Sequence, residues 1–192
     1  MALLELVGIA LLVLAVVIAI ALIAIYNGLV TRQKRVDNAW SQIDVQLKRR
    51  ADLIPNLIET VKGYAKFEKK VLTEVTAART AVLGAKSPKE SAKAENMLSG
   101  ALKTIFAVAE AYPTLKASEN FKGLQEEFAA TENKIAYARQ FYNDSAMEFN
   151  TAIAVFPNNA VAGMFGFSKP REYFEVADSD KKVVKADFSD LA

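Results

Sequence analysis

The 192 residues carry 24 Lys and Arg against 22 Asp and Glu, a net charge of +2, so no general field draws the chain toward nucleic acid or acidic ligands. The length suits one modest domain with an anchor. With no cysteine and no histidine, disulfides, thiol nucleophiles, Cys/His metal sites and imidazole acid–base chemistry are all excluded, which leaves carboxylates, Lys, Arg, Tyr and hydroxyls.

The first element is "LVGIALLVLAVVIAIALIAI", residues 6–25, built from Leu, Ile, Val, Ala and one Gly. As a helix it spans roughly 30 Å, the thickness of a bilayer core, and is expected to cross a membrane. A cleaved signal peptide fits less well. Glu5 precedes the run, no Lys or Arg does, and the run exceeds the usual signal length without a distinct cleavage site. Arg32, Lys34 and Arg35 follow closely, so the body after the span is expected on the cytoplasmic side, with Tyr26 at the interface. The expected divisions are an anchor over 1–28, a bundle over 29–175 and a flexible polar tail over 176–192.

Beyond the span, apolar residues recur every seven positions. Val36, Ile43, Leu57, Tyr64, Val71 and Ala78 form one row, interrupted by Arg50, and Trp40, Leu47, Ile54, Val61, Val75 and Val82 form another, interrupted by Glu68. The rows predict one amphipathic helix of about 50 residues, ending near Gly84. Pro55 lies inside it and in phase, which predicts a kinked but continuous helix, with a restart capped by Asp52 as the weaker option.

A second helix opens with Ser87 as N-cap, Pro88 at its first position and Glu90 completing a capping box. Its stripe is Ala94, Leu98, Ala101, Ile105, Val108 and Tyr112, closed by Pro113. A third begins near Ser118. Phe121, Phe128, Ile135, Tyr142, Phe149 and Phe156 fall seven apart beside the smaller row Leu124, Thr131, Ala138, Ser145 and Ala152, a ridge and groove suited to close packing. Pro157 stops it, and "NNAVAGMFGF" reads as one or two helical turns capped by Asn158 or Asn159, either packed on the bundle or offered to another subunit or a membrane. The expected fold is all-α: an N-terminal transmembrane helix, then an antiparallel bundle of three long helices plus the short C-terminal helical piece.

The chemistry is sparse. A carboxylate-bridged dimetal bundle site needs Glu-x-x-His pairs, and Glu126, Glu127 and Glu132 are spaced as any solvated face is. The scattered glycines form no phosphate loop, so no cofactor, metal or small-molecule substrate is expected. The run Lys48, Arg49, Arg50 is short and flanked by Asp44 and Asp52, which argues against nucleic acid. At 1.5 Å per residue Arg49 stands roughly 35 Å beyond Tyr26, too far to read the headgroups of its own bilayer. What remains is a polar cluster of Asp44, Arg49, Arg50, Asp52, Glu132 and Arg139 along core rows. Charges there must pair to offset desolvation, Glu132 with Arg50 and Asp44 or Asp52 with Arg139, with a ligand or partner site as the alternative.

"YNGLV" (26–30), "VDNAWSQIDVQLKRRADLIPNLIETVKGYA" (36–65), "LKASENF" (115–121), "TENKIAYARQFYNDSAMEFNTAIAVFP" (131–157) and "FGFSKPREYFE" (165–175) resemble the LemA family of bacterial membrane proteins. The resemblance covers nearly all of the chain before the tail. It implies one N-terminal anchor in the bacterial inner membrane and a cytoplasmic helical bundle, with no catalytic residues to carry over. Phe67 and Phe149 depart from the family, which often has His and Tyr there; the position of Phe67 is read as structural. The implied function is a non-enzymatic scaffold that organises membrane or envelope complexes, self-associating, with an adapter for a membrane metalloprotease or a ligand sensor as alternatives.

Overall fold

The computed structural model describes residues 1–64 and 69–175, with only the backbone of 63 and 64. The expectations for Phe67 and for a flexible tail over 176–192 lie outside the described residues. Among the described residues six helices follow in order: α1 (Ala2–Tyr64), α2 (Lys69–Gly84), α3 (Pro88–Glu110), α4 (Pro113–Lys116), α5 (Glu119–Ala154) and α6 (Asn158–Phe165). The fold is all-α, a long N-terminal apolar helix followed by further helices, and no strand occurs among the described residues. Contacts divide the chain into two units, Met1–Ser41 with Gln140–Glu172 and Gln42–Arg139 with Tyr173–Ala192.

The first unit holds the apolar segment of α1. Among the described residues this is the one helix long and apolar enough to cross a membrane, and its apolar window is wholly exposed. After it, α1 and the end of α5 run antiparallel: Arg35 Nη1 donates to Glu148 Oε2 at 3.0 Å, and Trp40 meets Tyr142 edge to face at 5.6 Å. The aromatic row of α5 turns Tyr142 and Phe149 inward beside the small Ser145 and Ala152, so the two helices approach closely. Leu29, Ala152, Val161 and Ala162 make a small core joining α1, α5 and α6.

Helix α6 is capped at its start by Pro157, with no side-chain hydrogen bond, so the expected Asn158 or Asn159 cap is not formed. It ends at Gly166, whose φ of 80° lies in the left-handed region that glycine enters without a Cβ clash, and the Phe167 N–H returns to the Ala162 carbonyl at 2.9 Å. The chain then runs along α5 without regular secondary structure. The Asn150 amide donates to the Arg171 carbonyl at 2.9 Å and accepts the Arg171 N–H at 2.7 Å, and the Tyr142 hydroxyl donates to the Glu172 carbonyl at 2.7 Å. Arg171 also donates to Asp37 at 3.0 Å and stands 5.9 Å from the Phe149 ring.

The second unit holds the C-terminal part of α1, all of α2, α3 and the single-turn α4, and the first part of α5. The single helix expected up to Gly84 is instead two, because Arg79 Nε donates to the Ala51 carbonyl at 2.9 Å. In one straight helix those residues would stand about 42 Å apart. Helix α2 therefore runs back along α1. A helical hairpin presents the same apolar stripe on both arms, and the sevenfold phase persisted across it, so periodicity alone registered no reversal.

Helix α3 packs on α2, and its cap differs from a capping box in one partner. The Glu90 N–H donates to Ser87 Oγ at 3.2 Å, but Glu90 Oε2 accepts from the Lys86 N–H at 2.9 Å rather than from Ser87. Its buried residues are Ser91, Ala92, Ala94, Glu95, Leu98, Leu102, Ile105 and Ala109, so Ala94, Leu98 and Ile105 of the expected stripe lie inside. This face is rotated from the expected one, with Ala101, Val108 and Tyr112 only half-buried. Helix α5 lies antiparallel to α3, and Phe106 meets Phe121 and Phe128 edge to face at 5.9 Å each.

Candidate functional site

Arg50 interrupts an apolar row of α1 and is 5 % exposed. Its position between Leu47 and Ile54 faces the bundle, so its guanidinium must find carboxylates inside. Nη1 donates to Glu132 Oε2 of α5, the partner expected from the sequence, and also to Glu95 Oε1 of α3, which the sequence reading missed. Glu95 is 0 % exposed. Arg139 of α5 completes the group, 3.7 Å from Glu95 Oε1, with its guanidinium 4.8 Å from the centre of the Phe174 ring.

The expected pairing of Asp44 or Asp52 with Arg139 does not occur. Both aspartates are exposed, and Glu95 takes that role because the inward stripe of α3 carries it to the same level. Arg49 is exposed and pairs with Glu127 at 3.0 Å, a surface ion pair of small energetic weight. The structure thus brings Arg50, Glu132 and Arg139 together around Glu95 and leaves Asp44, Arg49 and Asp52 outside. Pro55 sits on the exposed side of α1, which runs through it uninterrupted. The residue that Pro55 deprives of a helical donor is Ala51, four positions earlier, and Arg79 supplies a donor in its place.

Electrostatically the cluster is a cross-brace. One guanidinium ties carboxylates from two other helices, which fixes the register of α1, α3 and α5. Burial pushes the Glu95 carboxyl above the usual carboxylate range, against the pull of Arg50, Arg139 and the Ser99 hydroxyl. Glu132, a like charge nearby, adds to the rise. Three buried atoms of the group, Arg50 Nε, Arg139 Nε and Glu95 Oε2, have no hydrogen-bond partner among the described residues.

Beside the cluster lies a cleft of about 640 Å³, within the size range of small-molecule sites. Ser99 and Lys103 of α3 and Phe128 and Glu132 of α5 line it, with Arg50 and Arg139 in its wall. No group of three or more acidic residues placed to hold a metal ion occurs among the described residues.

The family model of the LemA family matches residues 39–188. The chain is 28% identical over 196 residues to magnetosome protein MamQ 2 of Paramagnetospirillum magneticum, an alignment covering 86% of this chain and 72% of that protein. It is 31% identical over 140 residues to protein LemA of Metamycoplasma hominis, covering 71% and 63%. With magnetosome protein MamQ of Magnetospirillum gryphiswaldense it shares 25% over 185 residues, covering 83% and 68%.

Proposed function

Because the chain belongs to the LemA family, we propose that it is a single-pass, membrane-anchored, non-enzymatic scaffold whose helical body organises membrane or envelope complexes through protein contacts, self-association among them. The observation that carries this reading is the apolar segment of α1, exposed as far as residue 24 in a chain whose other long helices bury their apolar faces. That exposure matches lipid as the surrounding medium. The magnetosome relatives support a role at a membrane surface, and Arg32, Lys34 and Arg35 after the span support a cytoplasmic body. The central charges partner one another, as a structural brace does. Single-molecule photobleaching in native membranes, combined with crosslinking mass spectrometry, tests the proposal. Multi-step bleaching or a captured membrane partner, a metalloprotease included, is expected; isolated monomers with no crosslinked partner would sink it.

The cleft favours a second reading, a ligand-sensing bundle. Lys103 and Arg139 in the wall of the cleft, beside the Phe106 and Phe128 rings, suit a small aromatic carboxylate. Titration calorimetry with benzoate separates the readings. Heat that disappears in Arg139→Gln supports sensing, and no heat at millimolar concentration counts against it.

A further inference from the structure

Helix α6 buries only part of itself. Val161 and Ala162 pack on Leu29 and Ala152, and Phe167 closes the edge of that cluster, but Phe156 is 85 % exposed, Met164 74 % and Phe165 54 %. Three large apolar side chains on one short turn and helix are too many for a surface facing water. Their position along α1 says what covers them. Arg35 pairs with Glu148 on antiparallel helices, so six residues further along α5, at Ala154, the chain stands level with Leu29. The span ends at residue 25, about 6 Å higher at 1.5 Å per residue. A headgroup layer of roughly 5 to 8 Å on each side of the hydrocarbon core occupies that interval.

Tyr26, the first aromatic residue after the span, ties α6 to this level. Its ring meets Phe165 edge to face at 5.0 Å and Phe167 at 5.7 Å. Aromatic rings gathered at the end of a membrane span are what an interfacial belt is made of. The exposed face of α6 is also continuous with the lipid-facing surface of α1 through Ile25, which packs against the same cluster.

Resting on the reading of residues 6–25 as a membrane span, we infer that α6 and the turn before it lie in the lipid headgroup layer, forming a second membrane contact beside the span. Phe156, Met164 and Phe165 enter the acyl boundary while Val161 and Ala162 hold the helix to α1 and α5. The first unit is thereby fixed to the membrane at two points, so its rotation and tilt are set by the bilayer as well as by the span.

The chain contains no cysteine, so a single engineered one takes a unique label. The full-length protein, reconstituted in phosphatidylethanolamine/phosphatidylglycerol vesicles, carries an environment-sensitive fluorophore through Met164→Cys, Ile18→Cys or Tyr137→Cys. The first position tests the inference, the second reports the span, and the third is an exposed position on α5. Label at 164 is expected to emit blue-shifted light, to be quenched by lipids carrying a shallow nitroxide and to be shielded from aqueous iodide. Label at 18 should be quenched by deep nitroxides, and label at 137 by iodide alone. If 164 behaves like 137 while 18 stays deep, the inference fails and the span stands. If 18 is open to iodide, both fail. If 164 is shielded from iodide yet unquenched by any lipid nitroxide, a protein partner covers the face and the inference is overturned.

Discussion

Arg79 Nε donates to the carbonyl of Ala51 at 2.9 Å, and that carbonyl is the acceptor whose helical donor Pro55 removes. The proline and the arginine form a matched pair on adjacent antiparallel helices. A hydrogen bond missing from one helix becomes the docking point of the next.

The pair can be tested as a cycle. Arg79→Met leaves the carbonyl of the buried Ala51 without its donor and is expected to cost about 1–3 kcal/mol. In a Pro55→Ala background residue 55 regains an N–H for that carbonyl, so the same arginine change should cost distinctly less. Chemical denaturation of the four proteins in detergent measures both steps. Strict additivity would show that the two residues act independently.

Arg50 presents a different balance. Removing it by Arg50→Met strands Glu95 in the bundle interior, with an expected cost of about 3–5 kcal/mol. Pairing it with Glu95→Met replaces the buried ion pair by apolar side chains of similar length and should recover most of the loss. Thermal unfolding followed by circular dichroism compares the single and double variants.

Glu95 also predicts a pH dependence. Its folded pKa is raised above the ordinary 4.5, so the fold binds the proton more tightly than the unfolded chain does. The contribution is fully present below 4.5 and is lost as pH rises through the folded value. Glu95→Gln removes that titration. The stability of the variant relative to wild type should therefore improve from acidic toward neutral pH, which melting temperatures across that range will report. A difference flat with pH would show that Arg50 and Arg139 hold the carboxylate ionised.

Asn150 anchors the irregular segment after α6 through both ends of its amide. Asn150→Leu leaves the N–H and the carbonyl of Arg171 unpartnered and is expected to cost about 1–3 kcal/mol. Hydrogen exchange at the Arg171 amide should accelerate first, before the amides of α5 respond.

Some of this architecture was legible from sequence because the signal was local or strongly periodic. Residues 6–25 needed only composition, Ser87-Pro88 only capping chemistry, and Phe121 to Phe149 an unbroken sevenfold row. The failures lay where tertiary context decides. Phe156 continues the row by count, yet α5 ends at Ala154 and the ring stays outside. Glu95 was passed over because it is charged, although it sits at steps of four and three with Ser91, Leu98 and Leu102, a pattern that would have marked it as inward-facing. Its absence from the reading is why Arg139 was assigned to the aspartates. The α1–α2 reversal needed a contact distant in sequence, which no pattern within a helix supplies.

The grip of Asn150 on Arg171 has a wider meaning. A primary amide offers one donor and one acceptor side by side, the same pair that an adjacent β-strand offers to its neighbour. One helical side chain thus does for Arg171 what a neighbouring strand would do, and holds a segment that has no regular secondary structure of its own. The next carbonyl, that of Glu172, accepts from the Tyr142 hydroxyl, so successive backbone groups of this segment are satisfied by side chains of α5.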